Sequence, residues 1–311
     1  MLKKIIFLSL ALLVFHFSAF SQNISIISKV NEDIITNIDV NNEVKYLKFL
    51  NPKLNEIRNK QNLFNLGKSS LVKEIIKKKE LKKYFDIKKD YKLLEKIEKN
   101  LFDKKSLQNK KELKSLIKSK NLNYEEVLWK LKIEALWNEF IYQKYNKSVK
   151  VNEEYLIKQV KMHKKNRKNK FNYYLYEILF EVTQQEKLND KLKLIKSSIE
   201  KIGFKNTANI YGISDSAKFG GEIGWVKESQ LSNTILDKIK NLEINEISDT
   251  LQTPGGYLIL KISKKDKIDE PFDEKKNLAL LKQYEINRQL NQFSLIHYKR
   301  LKKDALINDY R

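Results

Sequence analysis

The uneven placement of the glycines constrains this sequence more than any other feature. The chain of 311 residues contains eight glycines, and seven of them lie between Gly203 and Gly256. Glycine permits tight turns and close backbone approaches that other residues disfavour. Such backbone geometry is therefore predicted in one segment, centred on the sequence GGEIGW that begins at Gly220.

From about residue 40 to residue 168 the pattern is that of helices. Apolar residues recur every three or four positions, and Pro52 and Gly67 are the only Pro or Gly in this region. Trp129 and Trp137 fall on one predicted helix. They indicate either the core of a helical bundle or an apolar groove for a partner peptide.

A short hairpin is predicted before these helices. Residues 24–30 and 34–36 are rich in β-branched residues, and turn-forming residues separate them. Asn37 or Asp39 is expected to cap the helix that follows. An isolated hairpin needs a surface to lie on, so part of the chain should pack against it.

The period changes after residue 170 and predicts an α+β unit. The segment at Tyr173–Val182 reads as a strand buried on both faces. The remaining predicted elements are helices at 184–202, 204–211 and 231–242, and strands at 247–251 and 257–262. Beyond them, Pro271 and Asp273 signal the start of a last amphipathic helix, whose apolar stripe runs from Leu278 to Leu301.

Composition excludes several kinds of chemistry. The chain has no cysteine, so thiolate and disulfide chemistry are absent, and its histidines are His16, His163 and His297. None of them has a predicted metal-ligand partner, and no metal or cofactor is expected. The net charge of +23 is compatible with a nucleic-acid partner, but lysines interspersed with acids at helical spacing favour a solvated surface.

The first residues have the order of a signal peptide. Lys3 and Lys4 precede an apolar run that ends at Phe15, and Ala19-Phe20-Ser21 then places small residues at both positions that a signal peptidase reads. Cleavage is predicted before Gln22. The expected location is the periplasm, without a permanent membrane anchor, and export argues against a nucleic-acid partner.

Three stretches together resemble a parvulin-type peptidyl-prolyl isomerase domain: the strand at Tyr173–Val182, the GGEIGW motif, and GYLILKI at Gly256–Ile262. The resemblance covers about residues 171–267. Residues 27–36 are similar to the N-terminal signature of SurA-type periplasmic chaperones. This family implies an α+β protein in which a C-terminal helix completes a helical N-terminal module, beside one parvulin-like domain with a small, mostly antiparallel sheet.

The corresponding boundaries are a signal peptide at 1–21, a helical chaperone module at 22–169, a parvulin-like domain at 170–269 and a returning helix at 270–311. The resemblance also locates catalytic positions. Where parvulins usually carry histidines, this chain has Glu177 and Leu258, and their polar Cys or Asp position falls at Ser214 and Asp215. If Glu177 faces Asp215, repulsion between the two negative charges favours a proton on one of the two carboxyl groups.

Peptide-binding residues follow in the same way. Leu231 and Ile235 match the apolar positions that hold the proline ring in parvulins, although both also fit an ordinary helix core. Trp225, Tyr257 and Leu258 are expected to contact substrate as well.

Two functions stay open at this point. One is a periplasmic folding factor that binds unfolded outer-membrane or other exported proteins, through proline-containing and aromatic-rich segments, with weak isomerase activity. The other is a competent peptidyl-prolyl isomerase whose helical module recruits substrate. The absence of histidine from the parvulin-like segment favours binding over efficient catalysis.

Overall fold

A computed structural model describes residues 23–89, 93–165, 171–183, 186–268 and 273–310. The predicted signal peptide and its cleavage site before Gln22 lie outside these residues, as does Pro271. The helices are α1 Asn37–Leu50, α2 Lys60–Leu81, α3 Leu93–Lys105, α4 Lys110–Ser119, α5 Tyr124–Tyr145, α6 Glu153–Lys165, α7 Leu188–Ile202, α8 Phe204–Tyr211, α9 Asn233–Ile239 and α10 Glu274–Lys303. The strands are β1 Ile26–Val30, β2 Asp33–Thr36, β3 Phe171–Phe180, β4 Glu222–Lys227, β5 Leu251–Thr253, β6 Gly256–Lys267 and β7 Ile307–Asp309. This is the α+β fold class that the sequence predicted.

The N-terminal hairpin forms as predicted, but its helix cap is a different residue. Thr36 is the N-cap of α1, and its hydroxyl accepts a hydrogen bond from the backbone N–H of Asp39 at 3.2 Å. The Asp39 carboxylate accepts one from the backbone N–H of Thr36 at 2.8 Å. Together they form a capping box, in which each side chain bonds the other residue's backbone. Thr36 therefore replaces Asn37 and Asp39 as the cap.

The end of the chain supplies the surface that the hairpin needs. Strand β7 pairs antiparallel with β1, so the first sheet has the order β2-β1-β7. No local pattern in the sequence predicts β7. The strand predicted at 247–251 is not formed over that range: Ile247 forms only a single bridge to Lys261, and the strand β5 begins at Leu251.

Helix α10 packs against the helical module. The indole N–H of Trp137 donates to the Ser294 hydroxyl at 2.8 Å, and the Tyr145 hydroxyl lies 2.8 Å from Nδ1 of His297. Trp137 is completely buried, as expected for a bundle core. The C-terminal helix thus completes the module that the N-terminal helices begin, as predicted.

The second sheet has the order β4-β3-β6-β5 and is antiparallel throughout. Because side chains alternate along a strand, its two faces bury different sets. Tyr173, Leu175 and Leu260 pack on the face covered by α9, whereas Tyr176 and Ile178 pack on the face covered by α7 and α8. None of the helices in the described part of the chain is long and apolar enough to cross a membrane.

Candidate functional site

The glycine motif brings two distant segments into contact. Gly220 and Gly221 have φ values of +73° and +78°, in the left-handed region that favours glycine. A Cβ on Gly221 would lie 2.0 Å from the backbone oxygen of Glu177. Instead, the Glu177 N–H donates to the Gly221 oxygen at 2.7 Å, and the Gly221 N–H donates to the Ser216 oxygen at 2.9 Å. This close approach holds the 3₁₀ helix Asp215–Phe219 against β3.

A chain of hydroxyl groups ends on the Glu177 carboxyl. The Ser214 and Ser216 hydroxyl oxygens lie 2.8 Å apart, and the Ser216 hydroxyl donates to Oε1 of Glu177 at 2.7 Å. Burial raises the pKa of Glu177, the negative charge of Asp215 adds to that effect, and the two serine hydroxyls oppose it. The net pKa is raised, which increases the fraction of Glu177 that keeps its proton.

Asp215 has the opposite electrostatic environment. Its Oδ1 lies 2.7 Å from Nζ of Lys73 and 3.2 Å from Nζ of Lys77, both on α2. Burial alone would raise the pKa of Asp215, but the positive charges of Lys77 and Lys73 outweigh it and hold the pKa well below the usual range. Asp215 is therefore an ionised carboxylate bound to the helical module.

The ion pairs extend to α5. Lys77 Nζ lies 2.6 Å from Oε2 of Glu134, and Lys218 pairs with the same carboxylate. Burial would raise the pKa of Glu134, but the charges of Lys218 and Lys77 lower it to about 2. Since the Lys77 side chain is only 1% exposed, this cluster buries charge between the two modules.

A cavity of about 440 Å³ adjoins Glu177 and Asp215. The second sheet forms one wall, while α2 and α10 form the other. Among its α10 residues is Tyr284, whose pKa is raised to about 12, first by burial and then by the charge of Glu177. A neutral phenol therefore faces the cavity. The apolar lining consists of Leu179, Ile213, Ile223, Ile235, Leu258 and Leu295.

The structure brings together only some of the predicted site residues. Those that line the cavity are Glu177, Ser214, Asp215, Ile235 and Leu258. Glu177 and Asp215 do not bond each other directly; the Ser216 hydroxyl donates to Glu177, and Lys73 and Lys77 pair with Asp215.

Three predicted substrate contacts lie elsewhere. Leu231 is 1% exposed and belongs to the core under α9. Tyr257 points to the opposite face of the sheet, where its ring stacks on Phe180 with centroids 5.8 Å apart. Trp225 is 47% exposed and packs edge-on against Tyr174, away from the cavity. The alternation of strand side chains separates Tyr257 from Leu258.

Several cavity residues were not identified from the sequence. On α2, Lys73 and Lys77 are four positions apart and so share one helix face. On α10 a second stripe, at alternating spacings of four and three, faces the cavity: Tyr284, Arg288, Asn291, Leu295 and Tyr298. The helical spacing of these residues is visible in the sequence. Because the stripe mixes polar and apolar residues, the apolar stripe of the same helix was the clearer pattern.

Residues 177–264 match the family model of rotamases, described as the PPIC-type PPIASE domain. The matched segment contains the Glu177 and Gly221 contact and all the strands of the second sheet except the first part of β3 and the end of β6. The chain carries a PpiC-type rotamase domain.

Two curated relatives are similar to short segments of this chain. Chaperone SurA of Pseudomonas aeruginosa is 41% identical over 51 residues, which is 16% of this chain and 12% of the relative. Foldase protein PrsA of Bacillus subtilis is 34% identical over 79 residues, 25% of this chain and 27% of the relative. The chain thus spans about an eighth to about a quarter of the length of these curated relatives.

A solved structure of a SurA-like chaperone from Campylobacter jejuni is 16% identical, covering 92% of this chain and 99% of that one, with a TM-score of 0.37. The family match and the sequence relatives confirm the predicted resemblance: the chain is related to SurA-type chaperones and has one parvulin-type domain.

Proposed function

We propose that this protein is a periplasmic folding factor that binds unfolded polypeptide at the cavity between the rotamase domain and α10, and isomerises Xaa-Pro bonds there slowly. The cavity carries the proposal because it joins an apolar wall to a protonatable carboxyl and a neutral phenol. The chain's relatives SurA and PrsA are named as a chaperone and a foldase. The clients would be unfolded outer-membrane or other exported proteins.

The cavity supplies what prolyl isomerisation requires. The amide loses its conjugation in the twisted transition state, which accounts for a barrier of ~18–20 kcal/mol. A dry apolar pocket around the proline ring favours the twisted, less polar amide. Ile235 and Leu258 lie on such a wall. No covalent step is needed, so the residues act only by binding and by hydrogen bonding.

Two hydrogen-bond donors are suited to the proposed site. Glu177 has a raised pKa, so its protonated carboxyl can donate to the nitrogen of the Xaa-Pro amide, whose lone pair becomes available as the amide twists. Tyr284 stays neutral up to a pKa of about 12 and can donate its phenolic proton. Both are weaker substitutes for the histidines of other parvulins, because each is partly enclosed by the opposite module. We infer low activity from this enclosure.

Access supports binding over fast turnover. Helix α10 forms part of the cavity wall and is bonded to the helical module through Ser294 and His297. Peptide that enters must therefore contact both modules. A competent isomerase whose helical module recruits substrate remains the second candidate, and it is favoured by the same apolar wall.

A matched pair of variants tests the proposed site. Ile235→Asp places a charge on the apolar wall, whereas Leu194→Asp places the same charge on the exposed face of α7, where Leu194 is 48% exposed. We expect Ile235→Asp to abolish binding of an unfolded, proline-containing polypeptide and Leu194→Asp to leave it unchanged. If circular dichroism shows that both variants are folded and both bind the polypeptide equally, the cavity is ruled out as the client site.

Turnover distinguishes the two candidates. Exchange spectroscopy of a Xaa-Pro peptide, run beside aggregation suppression on the same sample, measures both activities. Suppression with an isomerisation rate close to the uncatalysed one supports the folding factor. Rapid isomerisation that disappears in Ile235→Asp while suppression persists supports the competent isomerase.

The proposed location rests on the N-terminal pattern. Lys3 and Lys4, the apolar run to Phe15 and the small residues Ala19 and Ser21 predict export and cleavage before Gln22. Intact-mass measurement of the periplasmic fraction should find a chain that starts at Gln22. Cytoplasmic protein that retains Met1 would contradict this proposal.

A further inference from the structure

A second cavity, of about 260 Å³, lies on the other face of the rotamase sheet. Its walls include Tyr176 and Lys261, which are paired across β3 and β6, and Lys205 of α8. Lys53, from the 3₁₀ helix Pro52–Glu56, adds a residue of the helical module. We call it the lysine cavity. It shares no lining residue with the cavity beside Glu177.

The lysine cavity has more positive charge than its own residues neutralise. Lys53 pairs with Glu56, another lining residue, at 2.9 Å. Within the described parts of the chain, Lys205 and Lys261 make no ion pair. Lys205 Nζ lies instead 4.4 Å from the ring centroid of Tyr176. Burial lowers the pKa of Lys261, and the charge of Lys205 lowers it further. A carboxylate between these two ammonium groups would offset both effects, because an opposite charge favours the charged form of Lys261.

An amide in the wall has an unmet acceptor. Asn206 is 1% exposed, and its Nδ2 donates to the Ile202 oxygen at 2.8 Å. Its Oδ1 accepts no hydrogen bond from any residue that the structure describes. A ligand with a negative charge and an N–H group matches the lysines and this amide together. A peptide provides both, whereas a simple inorganic anion such as sulfate provides only the charge.

An aromatic row leads from the lysine cavity to solvent. The ring centroids of Tyr176 and Tyr174 are 5.7 Å apart, and those of Tyr174 and Trp225 are 5.3 Å apart. Trp225, at the end of the row, is 47% exposed. Lys264 lies beside the row, with Nζ 5.8 Å from the Tyr174 centroid. An exposed indole that continues from a cationic cavity gives an apolar contact next to a charge contact.

We propose that this face binds an extended acidic peptide segment, with an Asp or Glu carboxylate between Lys205 and Lys261 and a side chain several residues further along the peptide on Trp225. The partner is identified by charge complementarity and by the aromatic row. The surface is separate from the cavity beside Glu177, so it stands or fails independently of the proposed isomerisation and client binding there.

The test uses the full chain and a short synthetic peptide that contains Asp and Phe. Its affinity is measured by calorimetry and by Trp emission, and compared with that of the same peptide carrying Asn in place of Asp. In the double variant Lys205→Gln with Lys261→Gln, binding should weaken by about tenfold or more. The matched control is Lys193→Gln with Lys196→Gln, which removes the same charge from exposed positions on α7 and should bind normally.

Three results would overturn the proposal. The first is equal affinity of the protein for the Asp and Asn peptides. The second is an equal loss of peptide affinity in the two double variants. The third is that inorganic phosphate competes with the peptide and binds as tightly as the peptide does. The first needs only wild-type protein, so it decides even if a variant fails to fold.

Discussion

The Lys73 ammonium nitrogen lies 2.7 Å from Oδ1 of Asp215, and this contact joins α2 of the helical module to the rotamase domain. Asp215 occupies the polar position that the parvulin resemblance assigned to catalysis. Here both of its ammonium partners come from outside the rotamase domain. An ionised carboxylate that is held by two lysines cannot donate a proton to a prolyl amide. The contact therefore suggests that Asp215 joins the modules.

Replacing Asp215 should affect stability more than catalysis. From the sequence alone, Asp215→Ala is expected to change any residual rate more than stability, and the ion pairs predict the reverse order. Because the Asp215 side chain is 39% exposed, we expect Asp215→Asn to lower the free energy of unfolding by only about 1 kcal/mol. Thermal unfolding and prolyl-peptide exchange measure the two effects. Asp237→Asn, which breaks an exposed pair with Lys240, is the control. A lost rate with unchanged melting would restore the catalytic assignment.

Glu177→Gln should stabilise the protein at neutral and higher pH. The folded-state pKa of Glu177 is raised above 4.5, so its stabilising contribution is present below that pH and is lost as the pH rises through the folded value. Gln keeps the shape and can still accept from Ser216, but it avoids a buried charge. The variant should melt higher than wild type at about pH 8 and similarly at about pH 4. Lower melting at the higher pH would show that Glu177 is not held against ionisation.

Local features of the fold were predictable from the sequence, because they depend on near neighbours. The clustered glycines predicted close backbone contact, and Gly221 makes it against Glu177. The apolar period predicted α8 at its observed bounds. The Glu177 and Ser214 positions came from motif resemblance, and both line the cavity.

Long-range pairing was not predictable in the same way. Lys77 and Asp215 are separated by 138 positions, and no local pattern marks such a pair. Strand β7 is only three residues long, and it is a strand because β1 offers it an edge. Trp225 belongs to the glycine motif but lies on the face of the second sheet opposite the cavity beside Glu177. The direction of a side chain depends on the strand register and on the bulge near Leu175.

The buried charge cluster between the two modules, to which α5 contributes Glu134, predicts a pH dependence of stability. Glu134 has an ordinary pKa of 4.5 that is lowered to about 2, so its contribution is complete above pH 4.5 and is lost as the pH falls towards 2. Glu134→Gln should reduce the melting temperature at neutral pH, because Lys77 loses a partner while it stays buried. It should also flatten the decline in stability between those two pH values. Glu139→Gln, at an exposed position of the same helix, provides the control. An equal acid-induced decline in both variants would exclude Glu134 as its source.

Deleting the C-terminal helix separates the two modules experimentally. The buried clusters on both faces of the rotamase sheet consist entirely of residues 171–262. By contrast, the clusters around Trp137 and Val30 include Tyr298 and Leu301 of α10. We therefore propose that residues 170–269 are an independent domain and that residues 270–311 belong to the helical module.

The excised segment 170–269 should fold and melt cooperatively, whereas a chain without residues 272–311 should lose the helical module. That truncated chain exposes Trp137, whose N–H loses its bond to Ser294, and leaves β1 without β7. Each buried Leu or Ile that α10 covers is worth ~1.5–3 kcal/mol, so exposing a few of them removes a large part of the ~5–15 kcal/mol that keeps a typical domain folded. Near-ultraviolet circular dichroism and aggregation suppression measure the outcome, with a deletion of residue 311 alone as the control. If the truncated chain melted and suppressed aggregation as the full chain does, α10 would be an accessory of the rotamase domain instead.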